Sequence, residues 1–133
     1  MAQLTKQEME KRRNLVSRLL IDNGCKSTLS GFYVLQEVII ISVEEPGLSC
    51  ESLFRKYALG DDERGVHPND EKKWKASYRA ARYCLINSLS RKVAVYTFIR
   101  DSAILIKDAE FKGYDNKGAL KLGSGVSFRQ DHA

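Results

Sequence analysis

Catalysis near neutral pH draws on histidine, cysteine, paired carboxylates or a glycine-rich phosphate loop, and in this 133-residue chain none of these types falls in a working arrangement. His67 lies directly before a proline and His132 near the end, neither beside a serine or cysteine in a nucleophile-like setting. Cys25, Cys50 and Cys84 are odd in number and form no C-x-x-C pair, which argues against zinc and against a secreted disulfide framework. They read as reduced thiols serving as small buried hydrophobes. Glu44-Glu45 and Asp61-Asp62-Glu63 lack the alternating ligand spacing of a calcium loop. Gly123-Ser124-Gly125 has no preceding strand, third glycine or following helix to make a phosphate loop. The expectation is a protein that is not an enzyme and has no metal and no cofactor.

The residues with chemistry to offer are the basic ones. The formal charge is +5, from 22 Lys+Arg against 17 Asp+Glu. Between residues 71 and 92 lie Lys72, Lys73, Lys75, Arg79, Arg82, Arg91 and Lys92 against Glu71 alone, a local +6 that exceeds the charge of the whole chain. Residues 19–70 are acidic and mask it. A cluster of this kind suits a polyanion, since Lys and Arg meet phosphates and an arginine pairs bidentately with guanine.

The elements that must hold these cations follow from periodicity and capping signals. Thr5-x-x-Glu8 is a capping-box pattern opening a helix to about Asp22, with Met9, Val16, Leu19 and Leu20 on one side and Asn23-Gly24 as its stop. Phe32 to Val43 reads as a buried central helix from its length and its Glu44-Glu45-Pro46-Gly47 terminator, although its Val/Ile content also suits a strand. Ser49 caps a short helix to roughly Ala58. Gly60 to Pro68 reads as an acidic loop, and Asn69 or Asp70 as the cap of a helix from Glu71 to about Ser88. At 100° per residue, Trp74, Tyr78, Ala81 and Leu85 share about 60° of that helix, whereas Lys72, Lys75, Arg79 and Arg82 share about 80° on the other side, beside Ala76 and Tyr83. One face is built to pack and the other to meet negative charge. Val93 to Ile99 and Ala103 to Ile106, split by Arg100-Asp101-Ser102, read as a hairpin or as further helical turns, with β-branched and aromatic content favouring the hairpin. Beyond Glu110, glycines multiply and apolar residues thin out, which reads as a loosely ordered tail. The longest apolar run, Val38 to Ile41, is far short of the ~20 residues needed to span a bilayer, and Met1 to Glu10 shows no secretory signal. A cytoplasmic address follows, with no membrane partner.

Leu19 to Ile40, LLIDNGCKSTLSGFYVLQEVII, resembles the opening segment of the DNA-binding effector domain of the sporulation-initiation response regulator family of endospore-forming bacteria. The shared features are Leu19, Leu20, Gly24, Gly31, Phe32, Leu35, Val38 and Ile39. Trp74 to Ile86, WKASYRAARYCLI, is similar to that family's recognition helix, and the resemblance covers roughly residues 12–88. It implies an all-helical fold that reads DNA through a helix-turn-helix. The family's two base-contacting pairs, Glu-Arg and then Arg-His, become Lys75-Ala76 and Arg79-Ala80 here, so the same DNA preference is not implied. Nor is phosphorylation control, because no receiver domain is readable ahead of this one. The first helix of the motif is either Ser52 to Ala58, with a long loop after it, or Asp61 to Val66.

Together these readings predict a mainly α, helix-turn-helix-containing domain over residues 1–109, with a wing-like C-terminal β-hairpin and a loose tail over 110–133. Its expected function is duplex-DNA binding as a transcriptional regulator, with a homodimer through the apolar 93–106 segment as a compatible assembly. Lys72, Lys73, Lys75, Arg79, Arg82, Arg91 and Lys92 are the DNA-binding candidates, Arg79 the one for a base and the others for phosphates. The alternative is a non-enzymatic module that binds an acidic protein surface. A weaker one is RNA, stacked on Tyr96, Phe98 and Phe111 should they line an exposed sheet.

Overall fold

The computed structural model describes residues 4–60, 68–89, 92–113, 120 and 122. Five helices make up the described fold: α1 (Lys6–Asp22), α2 (Ser30–Glu44), α3 (Cys50–Leu59), α4 (Pro68–Ser88) and α5 (Val95–Phe111). No strand occurs among the described residues. None of their helices is long and apolar enough to cross a membrane.

The capping box forms as expected. Glu8 N–H donates to Thr5 Oγ1 at 3.0 Å and Thr5 N–H donates to Glu8 Oε1 at 2.9 Å, satisfying two of the donors that a helix start leaves unpaired. Asn23 ends α1, and Gly24 follows at φ 95°, a conformation that favours glycine. Ser49 caps α3 by accepting from Ser52 N–H at 3.2 Å. α4 starts one turn earlier than its cap signals suggest: Asn69 and Asp70 already lie inside the helix. Proline is well placed at the first helical position, where its missing N–H would have had no partner.

α2 is the central helix, touching all four others. Leu35, Val38 and Ile39 are fully buried, and Phe32, Ile40 and Val43 nearly so. Each such side chain contributes roughly 1.5–3 kcal/mol of burial free energy, which is why an all-round apolar segment settles as the helix the others cover. Gly31, in its first turn, is the point of closest approach to α4. A Cβ there would stand 2.0 Å from the Ala80 carbonyl oxygen and 2.8 Å from Cys84 Cβ, closer than atoms can pack. Ion pairs tie the outside. Arg12 grips Glu110 through two bonds of 2.6 and 2.8 Å, joining α1 to α5, and Arg13 grips Glu37 at 2.9 and 3.0 Å, joining α1 to α2.

The hairpin expected over Val93 to Ile106 is not formed; this stretch lies almost wholly within α5. Phe98, Ser102, Ile106 and Ala109 recur at helical spacing and are all buried, with Ile99 and Ala103 beside them. Packing of that stripe against α2 outweighs the strand preference of its valines and aromatics. Most of the apolar content of 93–106 is therefore core, which leaves no apolar wing or interface there beyond Ile104, 63% exposed. The stacking sheet imagined for RNA is absent too: Phe98 is fully buried and Tyr96 donates its hydroxyl to the Leu48 carbonyl at 2.7 Å.

Two residues past α5 also join the core. Leu120 and Leu122, within the stretch expected to be a loose tail, are 5% and 6% exposed and are held at the end of α1. The rest of that tail, apart from Glu110 to Gly113, and the loop residues 61–67 lie outside the described residues.

Candidate functional site

α4 sorts its two faces as the helical wheel demands. Ala81, Cys84 and Leu85 are buried, and Trp74, Ser77, Tyr78 and Ser88 are half-buried beneath α4. Phe54 of α3 meets Tyr78 edge-on, ring centroids 5.3 Å apart, so α3 fixes the roll of α4 about its axis. Gly31 fixes its depth. With roll and depth set, Lys72, Lys75, Arg79 and Arg82 are all directed outward and exposed, and Lys73 is exposed on the flank. Their 3-4-3 spacing forms a straight stripe spanning about 15 Å along the helix.

The cations on this stripe differ in their partners. Lys75 Nζ lies 3.2 Å from Glu71 Oε2, a helical i,i+4 pair. Glu71 also receives Arg55 of α3, whose guanidinium is held in turn by Glu51 at 2.7 Å. Arg55 and Lys75 both stand over the Trp74 ring, at 5.5 and 5.9 Å from its centroid. The hydrogen bond from Lys75, then that from Trp74, holds the Glu71 carboxyl below the usual carboxylate range. Lys72, Lys73, Arg79 and Arg82 have no ion pair among the described residues, whereas Arg12, Arg13, Arg18, Arg55 and Lys56 all do. The +6 counted along residues 71–92 thus resolves into four free cations, one pair at the amino end of the stripe, and Lys92, exposed just before α5. Arg91 lies outside the described residues.

Two features of this surface need the fold to be seen. Ile86, 55% exposed, continues the basic stripe, next to Tyr83 at 59%. The end of the stripe is thus apolar and aromatic rather than charged. Arg55 is the other: it sits in the acidic middle of the sequence, and its place between Glu51 and Glu71 depends on the packing of α3 against α4.

Elsewhere the described residues offer little chemistry. They contain no group of three or more His, Cys, Asp or Glu placed to hold a metal ion. A cleft of about 510 Å³ between α1 and the end of α5 is lined by Leu4, Lys11, Arg12, Leu15, Ala109 and Glu110 among others, with no cysteine or histidine in that lining. The three cysteines are unpaired. Burial, with a smaller contribution from neighbouring Cys84, pushes the Cys25 thiol up to about 12, and burial also raises Cys50 and Cys84. A raised thiol value disfavours the thiolate, the form that acts as nucleophile. Comparison of the chain with family models, curated proteins and solved structures returns no match.

Proposed function

We propose that this protein binds duplex DNA through the outer face of α4 and acts as a small transcriptional regulator. The observation that carries this reading is the free cation stripe: Lys72, Arg79 and Arg82 on one exposed face, flanked by Lys73, without a carboxylate partner among the described residues. Among the described residues Arg12, Arg13 and Arg55 are paired across helices, whereas these cations are left for an outside partner. A straight helix with a basic outer face is the shape that enters a major groove about 12 Å wide. Ala76, small and exposed beside the stripe, permits close approach, so Arg79 is the candidate for a base edge while Lys72, Lys73, Arg82 and Lys92 meet phosphates. Lys75 takes part once phosphate replaces Glu71.

In this proposal α3 and α4 are the two helices of a helix-turn-helix, in line with the resemblance to the sporulation-initiation effector domain. Eight residues, 60–67, separate them, against three or four in the standard motif. The reading includes a cytoplasmic setting and no catalytic activity. A homodimer on paired half-sites is compatible with it, but the interface would not be the 93–106 segment. A second reading, a module docking an acidic protein surface, is favoured by one observation: exposed Tyr83 and Ile86 at the end of the same stripe.

The test is a titration of labelled random-sequence duplex by fluorescence anisotropy at 50 and 200 mM salt. About four phosphate contacts correspond to a slope near −3.6 in log K against log salt, or roughly a hundredfold loss of affinity over that interval. No binding at the lower salt would remove the DNA reading and leave the acidic protein partner.

A further inference from the structure

The outer face of α4 has a centre line and two flanks that differ in chemistry. Lys72, Arg79 and Ile86 stand one heptad apart, drift only about 20° per heptad, and are all exposed. Lys75 and Arg82 flank this line on one side, Ala76 and Tyr83 on the other. A ligand lying along the centre therefore meets an ammonium, then a guanidinium, then a branched alkyl group. The last two are about 10.5 Å apart along the axis.

The two halves of α4 are not equivalent towards a polyanion. Its first turn carries Asp70 and Glu71, and Glu71 engages both Lys75 and Arg55. Residues 76–89 hold Arg79 and Arg82 and no carboxylate. The carboxy-terminal half is thus the one that enters a groove between two rows of phosphates with least repulsion. Ile86, 55% exposed on the centre line of that half, has nothing to gain from a phosphate. The floor of the major groove offers one apolar group, the 5-methyl of thymine, and it offers an arginine the O6 and N7 acceptors of guanine.

We propose that α4 reads duplex DNA with its carboxy-terminal half, Arg79 on a guanine and Ile86 on a thymine methyl, so that preferred sites carry these two bases about three base pairs apart. The spacing is the distance of about 10.5 Å between the two side chains divided by a rise of roughly 3.4 Å per base pair. The contact is centred between Arg79 and Ile86. Lys72, about 16 Å from that centre, lies where a straight helix has left the curving groove and meets the phosphate backbone. This inference rests on the DNA-binding reading and adds to it the class of sequence bound.

The experiment uses the full chain. Wild type selects duplexes from a random-sequence library, and the most enriched duplex is remade with every thymine replaced by uracil. That change removes the methyl groups and leaves the hydrogen-bonding edges intact. Enriched duplexes are expected to carry the guanine and the thymine at the stated spacing. Loss of the methyls is expected to weaken wild-type binding about fourfold, which corresponds to one buried methyl group. Ile86→Ala alters a side chain more than half exposed, so folding by circular dichroism is expected to be unchanged. This variant is expected to bind the thymine and uracil duplexes equally, with the salt slope of the wild type, because no phosphate contact is lost. The two ways of failing are separable. No duplex binding by the wild type at low salt overturns the DNA reading and this inference with it. Salt-dependent binding that ignores the methyls, or a methyl effect that Ile86→Ala retains, overturns this inference alone and returns Ile86 to the protein-docking reading.

Discussion

Gly31→Ala tests the packing that seats the basic face of α4. The new Cβ would lie 2.0 Å from the Ala80 carbonyl oxygen, 2.6 Å from its carbon and 2.8 Å from Cys84 Cβ. Two of those atoms are main chain inside α4, so no rotamer change relieves the clash, and α2 and α4 must separate by about 1 Å or more to restore ordinary contact. Overpacking of a tight core costs about 1–3 kcal/mol, and a backbone clash belongs at the upper end. Alanine's better helix propensity returns about 0.5–1 kcal/mol, leaving a net loss of about 2 kcal/mol. For a domain of this size that lowers the melting temperature by roughly 6–10 °C. Urea melts followed by circular dichroism and by the fluorescence of Trp74, the single tryptophan, measure it at both the helical and the α3–α4 level. Gly47→Ala is the control, because nothing lies within 4 Å of its Cβ position. If Gly31→Ala melts with the wild type and the control, the close approach of α2 to α4 is not what seats the basic helix.

Three further outcomes follow from single contacts. Ser102 is fully buried and its hydroxyl finds no partner among the described residues, so Ser102→Ala is expected to be neutral or to raise stability by up to about 1 kcal/mol in a urea melt; a loss above that would reveal a hydrogen bond. Glu71→Gln removes the carboxylate that Lys75 shares with Arg55, so duplex affinity at low salt is expected to rise roughly two- to fivefold and converge with the wild type at high salt; weaker binding would mean that the pair orients the stripe. The hydrogen bond from Arg13 is the main reason the Glu37 carboxyl titrates below its ordinary range. A depressed folded-state value means that this contribution is complete above the unfolded pKa near 4.3 and fades as pH falls through the folded one. Melting temperatures from pH 6 to pH 3 should therefore fall less steeply for Glu37→Gln than for the wild type, and parallel curves would exclude Glu37 as a source of acid sensitivity.

Most helices could be read from the residues because local signals and burial agree in them. Thr5 and Glu8 carry the start of α1, Ser49 that of α3, and the wheel of α4 separates Trp74, Ala81 and Leu85 from Lys72, Arg79 and Arg82 without any tertiary information. α5 hides its period because its buried stripe runs through Ser102, Ala103 and Ala109, which carry no strong hydrophobic signal, while Val95, Tyr96 and Phe98 advertise a strand. Gly31 stands out in the sequence only through a family resemblance; composition gives no hint that a carbonyl lies against it. The Glu71–Lys75 pair is visible in the spacing, but the capture of Glu71 by Arg55 depends on α3 packing against α4. Leu120 and Leu122 are two leucines among glycines, and only the polar end of α1 makes core of them.

The central claim is that the free cations of α4 meet the phosphates of duplex DNA. The most direct measurement compares the wild type with the Lys72→Gln, Lys73→Gln, Arg82→Gln variant on one 20-base-pair duplex across a salt series. Each neutralised phosphate contributes about −0.9 to the slope of log K against log salt, so the wild-type slope is expected to be steeper by about 2.7, with unchanged folding by circular dichroism. Equal slopes in the two proteins, or no duplex binding by the wild type at low salt, would contradict the account.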